Sequence, residues 1–194
     1  MKIYDISQEV FTSATYPDDP TPTREAVSRM EEGALYNLTC FSMCAHNGTH
    51  IDAPAHFIRD GKTVEAIALE KTVGPCCVVV AEGYLDAATT ARILATVDAE
   101  AVRRILFKGD VTVTPEAAET LASAGVYLVG VESQSVGDIH APMDVHRILL
   151  GQEVVLLEGL RLAAVPAGTY FLSAAPLALG GSDGAPCRAL LIEL

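Results

Sequence analysis

Arg104-Ile105-Leu106-Phe107-Lys108, Thr114-Pro115-Glu116 and Val126-Tyr127-Leu128-Val129-Gly130-Val131 fall within about 28 consecutive residues, and their reading decides the fold class. The first and last are apolar runs of strand length. Between them, Thr114 offers a capping hydroxyl, Pro115 suits the first helical turn, and Glu116 stands near the positive end of the helix dipole. The helix should end near Gly125. Strand, helix and strand at this length form a βαβ unit, whose strands are parallel and whose crossover is right-handed. An α/β fold is therefore expected.

The same logic extends outward. Residues 76–82 form a continuous apolar run suited to a buried strand, and Asp86 can cap a helix over residues 87–97. Residues 143–150 read as a short helix closed by Gly151, and residues 153–158 as another apolar strand. Residues 170–173 and 189–194 read as the last two strands and residues 2–7 as the first, with a flexible loop at residues 180–184. Three prolines between Pro17 and Pro22 force an extended or turning loop. That loop is either a surface connector or a cover for a site, with Tyr16 as its aromatic contact. No repeat, low-complexity tract or linker interrupts the chain, so residues 1–194 are expected to form one compact domain with a mixed sheet.

Bulk composition excludes several roles. Half of the 194 residues are hydrophobic and 20% are charged, enough for a sizeable core. A net charge of −12 with no basic cluster argues against nucleic acid as a partner. No apolar run has the length of a membrane span, and the first residues lack the apolar core of a signal peptide, so a cytoplasmic location is expected. The five cysteines, with Cys76 next to Cys77, suit reduced thiols better than a disulfide framework.

The chemistry concentrates in His46-Asn47-Gly48-Thr49-His50-Ile51-Asp52-Ala53-Pro54-Ala55-His56. Residues 35–45 read as a strand that puts Cys40, Ser42, Cys44 and His46 on one face, and the histidine segment as that strand's end running into a loop. His50 and Asp52, two apart in extended chain, point to the same side, and Gly48 lets His46 fold back to join them. Imidazole and carboxylate suit zinc, manganese or ferrous iron, and two histidines with one aspartate leave coordination positions open for catalysis. Cys40 and Cys44 raise a Cys2His2 structural zinc as a rival, but they lie too close to the histidines for a finger. His56 is either a further ligand or a proton carrier. His146 is a lone helical histidine, a type more often structural than functional. Glu158 ends an apolar strand, where a carboxylate often faces the ligand crevice and where a metal would offset the cost of its burial. His140 lies in a loop beside Asp138, and spacing does not place it.

The segment from His46 to His56 resembles the H-x-G-T-H-x-D-x-P-x-H signature of the cyclase family, which includes kynurenine formamidases (arylformamidases) and isatin hydrolases. The likeness continues through residues 130–135, 146–150, 157–160, 165–168 and 183–188. It implies a swivelling β/β/α fold assembled as homodimers or homotetramers. It also implies that His46, His50 and Asp52 bind one metal, with Asp52 bridging to a second held by His146 and Glu158. His56 would carry the proton, with one or two zinc ions, or manganese, as cofactor. The implied reaction is hydrolysis of a non-peptide C–N bond in a small molecule, such as N-formylkynurenine to kynurenine and formate. Tyr16 and Phe57 would wall a flat substrate. Two alternatives are a hydrolase of cyclic amides or lactones and a non-catalytic metal-binding or ligand-binding relative. The chain departs from the kynurenine formamidase pattern in three places. Tyr16-Pro17-Asp18-Asp19 replaces a Trp-Pro-Gly-Asp stretch, Glu132 replaces an aspartate, and Gly137 replaces another.

Overall fold

The computed structural model describes residues 1–193. Along the chain run β1 (Lys2–Asp5), β2 (Thr23–Ser28), β3 (Leu38–Ser42), β4 (His50–Asp52), β5 (Val73–Val80) and β6 (Gly83–Leu85). Then come α1 (Ala87–Thr96), β7 (Arg104–Lys108), β8 (Val111–Val113), α2 (Pro115–Ser123) and β9 (Leu128–Val131). α3 (Met143–Gly151), β10 (Val155–Glu158), β11 (Gly168–Ser173), β12 (Gly184–Pro186) and β13 (Leu190–Glu193) complete the order. The expected last strand is thus present as β13, and its residue Leu194 lies outside the described residues.

The βαβ unit forms as read. β7 and β9 are parallel neighbours, Arg104 opposite Leu128 and Phe107 opposite Val131. The Thr114 hydroxyl accepts from the Ala117 amide at the start of α2, and Asp86 Oδ1 accepts from the Thr89 amide at the start of α1. The main sheet runs β1-β13-β11-β5-β7-β9-β10-β4-β12. Its centre, β5-β7-β9-β10, is parallel, and the pairs outside it are antiparallel, so the sheet is mixed.

Alternation along the central strands builds two cores. Cys77, Ile105, Phe107, Val129, Val131 and Leu156 pack with Ala117, Leu121, Val145 and Leu149 of the helices. Their neighbours Cys76, Val78, Leu106, Leu128, Val155 and Leu157 point the other way, into a core closed by Ile51, Leu160, Leu172 and Leu191. No helix among the described residues is long and apolar enough to cross a membrane.

Three local expectations need correction. The strand placed at residues 35–45 is β3, which ends at Ser42. β3 pairs only with β2, in a two-stranded ribbon outside the main sheet whose β3 residues are all exposed. Cys44 and His46 follow it in a turn, so the alternation does not carry through to His46. The histidine segment therefore reverses the expected order: the turn comes first, and His50–Asp52 is the strand, fully buried. Within the supposed flexible loop, Gly184 begins β12, an edge strand beside β4.

Candidate metal centre

Sheet register assembles the site. β4 lies antiparallel to β10 with His50 opposite Glu158 and Asp52 opposite Leu156. Because side chains alternate, His50, Asp52 and Glu158 share one face of the sheet, with Leu156 and the helices, while Ile51 and Leu157 face the opposite core. His146 comes down onto that face from α3. All four are almost wholly buried.

The geometry is tight. His50 Nε2 lies 3.3 Å from Asp52 Oδ1 and 3.5 Å from Glu158 Oε2. His146 Nε2 lies 3.7 Å from Asp52 Oδ2 and 3.4 Å from Glu158 Oε1. His46 Nδ1 lies 2.8 Å from Asp52 Oδ1. Donor atoms of Asp52, His146 and Glu158 lie within 4.8 Å of one another, as do those of His46, His50 and Asp52. His146 and Glu158 thus converge on Asp52 from elements far along the chain.

Backbone carbonyls orient the rings. His50 Nδ1 donates to the Gly48 carbonyl at 3.0 Å, and His146 Nδ1 donates to the Pro142 carbonyl at 2.8 Å. Each bond turns Nε2 toward the carboxylates, the arrangement that holds ligating histidines in metal sites. Glycine is required behind this frame. Gly159 has φ +71°, and a Cβ there would stand 2.3 Å from the Gly48 carbonyl oxygen that holds His50. Glu158 is steadied by the Val136 amide, which donates to Oε1 at 2.7 Å.

Burial by itself would lower the histidine pKa values and raise those of the carboxylates. The opposite holds for most of the cluster. Against its burial, hydrogen bonds to Asp52 and Glu158 and their charges push His50 up to about 10. His46 and His146 are also raised against burial, chiefly by hydrogen bonds to Asp52 and Glu158 respectively. Asp52 is held well below the carboxylate range by His46 and His50 despite its burial. Asp52 Oδ2 nevertheless has no hydrogen-bond partner among the described residues. An ionised oxygen in that state costs about 1–3 kcal/mol or more, and a cation would remove the cost. The donor set and the orphaned oxygen together fit a metal ion.

The cluster floors a cavity of about 390 Å³, which His56, Phe57, Tyr16, Ser135 and Asp183 also line. His56 sits on the short 3-10 turn Pro54–His56 that follows β4, and burial lowers its pKa. Phe57 lies tilted against His146, ring centres 4.5 Å apart. Tyr16 closes a wall and donates its hydroxyl to the Ile139 carbonyl at 2.7 Å. His140 is exposed and lies outside this cavity.

Sequence reasoning missed two cavity groups. Asp183 accepts from His46 Nε2 at 2.9 Å and His56 Nδ1 at 3.1 Å, although it lies in a stretch that reads as plain loop. Ser135 is 3% exposed, and its hydroxyl has no hydrogen-bond partner among the described residues. Both fall in stretches that resemble the cyclase family, and that likeness is the signal the sequence offers for them.

Residues 4–138 match the family described as "Putative cyclase". The chain belongs to the cyclase family. A relative described as kynurenine formamidase, of Salinibacter ruber, is 34% identical over 98% of this chain and 97% of its own length. A solved structure described as a potential metal-dependent hydrolase with cyclase activity shares 31% identity, with TM-score 0.82 over 98% of this chain and 96% of that one. Isatin hydrolase A of Labrenzia aggregata, at 22% identity, shares the fold with TM-score 0.82 over 98% and 93% of the two chains.

Two of the departures noted for this cyclase-family chain acquire structural meaning. Glu132 spends its oxygens on the Gly109 and Leu162 amides, at 2.9 and 2.8 Å, so it braces backbone and does not line the cavity. At Gly137 a Cβ would come within 3.2 Å of Val145, so glycine leaves room for the helix that carries His146.

Proposed function

We propose that this chain is a metal-dependent amide hydrolase acting on an N-aryl formamide, as in the conversion of N-formylkynurenine to kynurenine and formate. Zinc is the proposed ion, with manganese the alternative. His46, His50 and Asp52 would hold one ion, and Asp52, His146 and Glu158 a second. The observation that carries this reading is the buried, unpartnered Asp52 Oδ2 among histidines whose Nε2 atoms are aimed by backbone carbonyls.

When bound, the metal supplies Lewis acidity, lowering the pKa of a water and polarising a carbonyl. The chain's own residues do the rest. His56, kept neutral by its burial, accepts the proton of the attacking water at Nε2 and returns it to the leaving nitrogen as the C–N bond breaks. The Ser135 hydroxyl is a free donor for the substrate. Phe57 and Tyr16 supply an aromatic wall. A cavity of about 390 Å³ suits a single-ring substrate with a short side chain.

The deciding experiment is turnover with zinc and with manganese against N-formyl arylamines, cyclic amides and lactones. Hydrolysis of the formamides is expected. Turnover confined to the cyclic compounds would move the assignment to that class, and metal uptake without any hydrolysis would make the chain a binding relative.

Metal affinity should rise with pH. Metal-free His50 titrates at about 10, so at neutral pH it carries a proton that a ligating Nε2 must give up. Calorimetry in buffers of different ionisation enthalpy should show net proton release at pH 7, and affinity should climb from about pH 6 to about pH 8. The sign for metal-free stability is the reverse. The folded pKa lies above the 6.5 of free histidine, so the stabilisation is complete below 6.5 and is lost as pH rises through about 10.

The β2–β3 ribbon supports assembly as a homodimer or homotetramer. It exposes Val27, Leu38 and Phe41 by 54%, 46% and 58%, and an isolated two-stranded ribbon is marginal in water. Light scattering after gel filtration should give at least a dimer mass, and Phe41→Asp should shift it toward monomer. A wild-type monomer at micromolar concentration would end this part of the reading.

A further inference from the structure

The same geometry points to a role for Asp183, and we propose that it is a positioning residue that sets the tautomer of His56. The proposal rests on the hydrolase reading above. A single oxygen, Asp183 Oδ2, meets His46 Nε2 at 2.9 Å and His56 Nδ1 at 3.1 Å. The two rings are stacked, with centres 4.0 Å apart and planes 26° from parallel, so the oxygen bridges their edges. This ties the histidine at the metal cluster to the histidine assigned to proton transfer.

The backbone places the carboxylate with care. The Asp183 carbonyl accepts from the Ala53 amide at 2.9 Å, pinning it beside the end of β4. The preceding carbonyl, of Ser182, accepts from the Val64 amide at 2.9 Å. The next residue must be glycine, because a Cβ at Gly184 would lie 2.7 Å from His46 Cε1. The apparent loop is thus a mount for one side chain.

The chemical consequence follows from imidazole itself. A neutral ring carries one N–H, and the partner of that N–H decides which nitrogen keeps the lone pair. With Nδ1–H donated to Asp183, Nε2 is the basic nitrogen and has no hydrogen-bond partner of its own among the described residues. Without the carboxylate, Nδ1 loses its acceptor and the two tautomers approach parity. Loss of an orienting carboxylate from a catalytic histidine lowers turnover without altering the groups that bind substrate.

Nitrogen-15 spectra of the histidine rings, with metal content and steady-state kinetics, test this in the zinc-loaded full chain. Wild-type His56 should show the Nδ1–H tautomer. Asp183→Asn should shift it toward a mixture and reduce kcat about 10–100-fold, with KM and metal stoichiometry held. Asp183→Glu should recover part of the turnover. An Nε2–H tautomer in the wild type, an unchanged tautomer in Asp183→Asn, or unchanged kcat would each overturn the proposal. Loss of metal in Asp183→Asn would also overturn it, by making Asp183 part of the metal's own binding set. If the wild type hydrolyses nothing, the hydrolase reading fails, while the tautomer spectra still decide the placement of Asp183.

Discussion

Asp52→Asn should lower kcat by about a thousandfold or more, because several kcal/mol of metal-derived stabilisation is lost with the ion. Asp52 is the one residue shared by the His46, His50, Asp52 triad and the Asp52, His146, Glu158 triad. Its Oδ1 meets His46 at 2.8 Å and His50 at 3.3 Å, while Oδ2 faces His146 at 3.7 Å. Asparagine keeps the shape but removes the negative charge and turns one oxygen into an N–H donor, which repels a cation. Metal analysis of the purified variant should therefore show sub-stoichiometric content. Stoichiometric metal in Asp52→Asn would sink the ligand assignment.

His56→Ala should cost about 10²–10⁴ in kcat, the usual range for a positioned proton carrier. Here metal content should stay at the wild-type level, since His50, Asp52, His146 and Glu158 remain in place. Removing the ring also leaves Asp183 still bonded to His46. Normal turnover in this variant would rule out the proton-carrier role, and loss of metal would instead make His56 a ligand. The pair of variants thus separates holding the ion from moving the proton.

The βαβ unit and both capped helices were legible because their signals are local. Thr114 and Asp86 bond to amides three residues away. His50 and Asp52 were also legible as a pair, because period two holds in any extended chain. The strand that carries them was not. β4 has three residues, two of them polar, and becomes a strand only because β10 and β12 pair with it. The apolar alternation before it belongs to a ribbon, since local pattern does not distinguish an exposed ribbon from a core strand. His146 read as an ordinary helical histidine, and only the resemblance singled it out before α3 packing brought it to Asp52. Asp183 sits among glycines and serine, and its importance lies wholly in contacts more than a hundred residues distant in the chain.

The position of β4 has a consequence for biogenesis. Its two strand partners are residues 156–158 and 184–186, so His46, His50 and Asp52 emerge from the ribosome long before the strands that hold β4 in register. During that interval they are loose imidazoles and a carboxylate, which bind divalent ions by the general affinity order, with copper ahead of zinc and manganese. The full set of donor groups is therefore complete only once the sheet has closed around β4. A one-residue slip of β4 would send His50 and Asp52 to the opposite core. Correct sheet register is thus a condition for the donor cluster to exist at all.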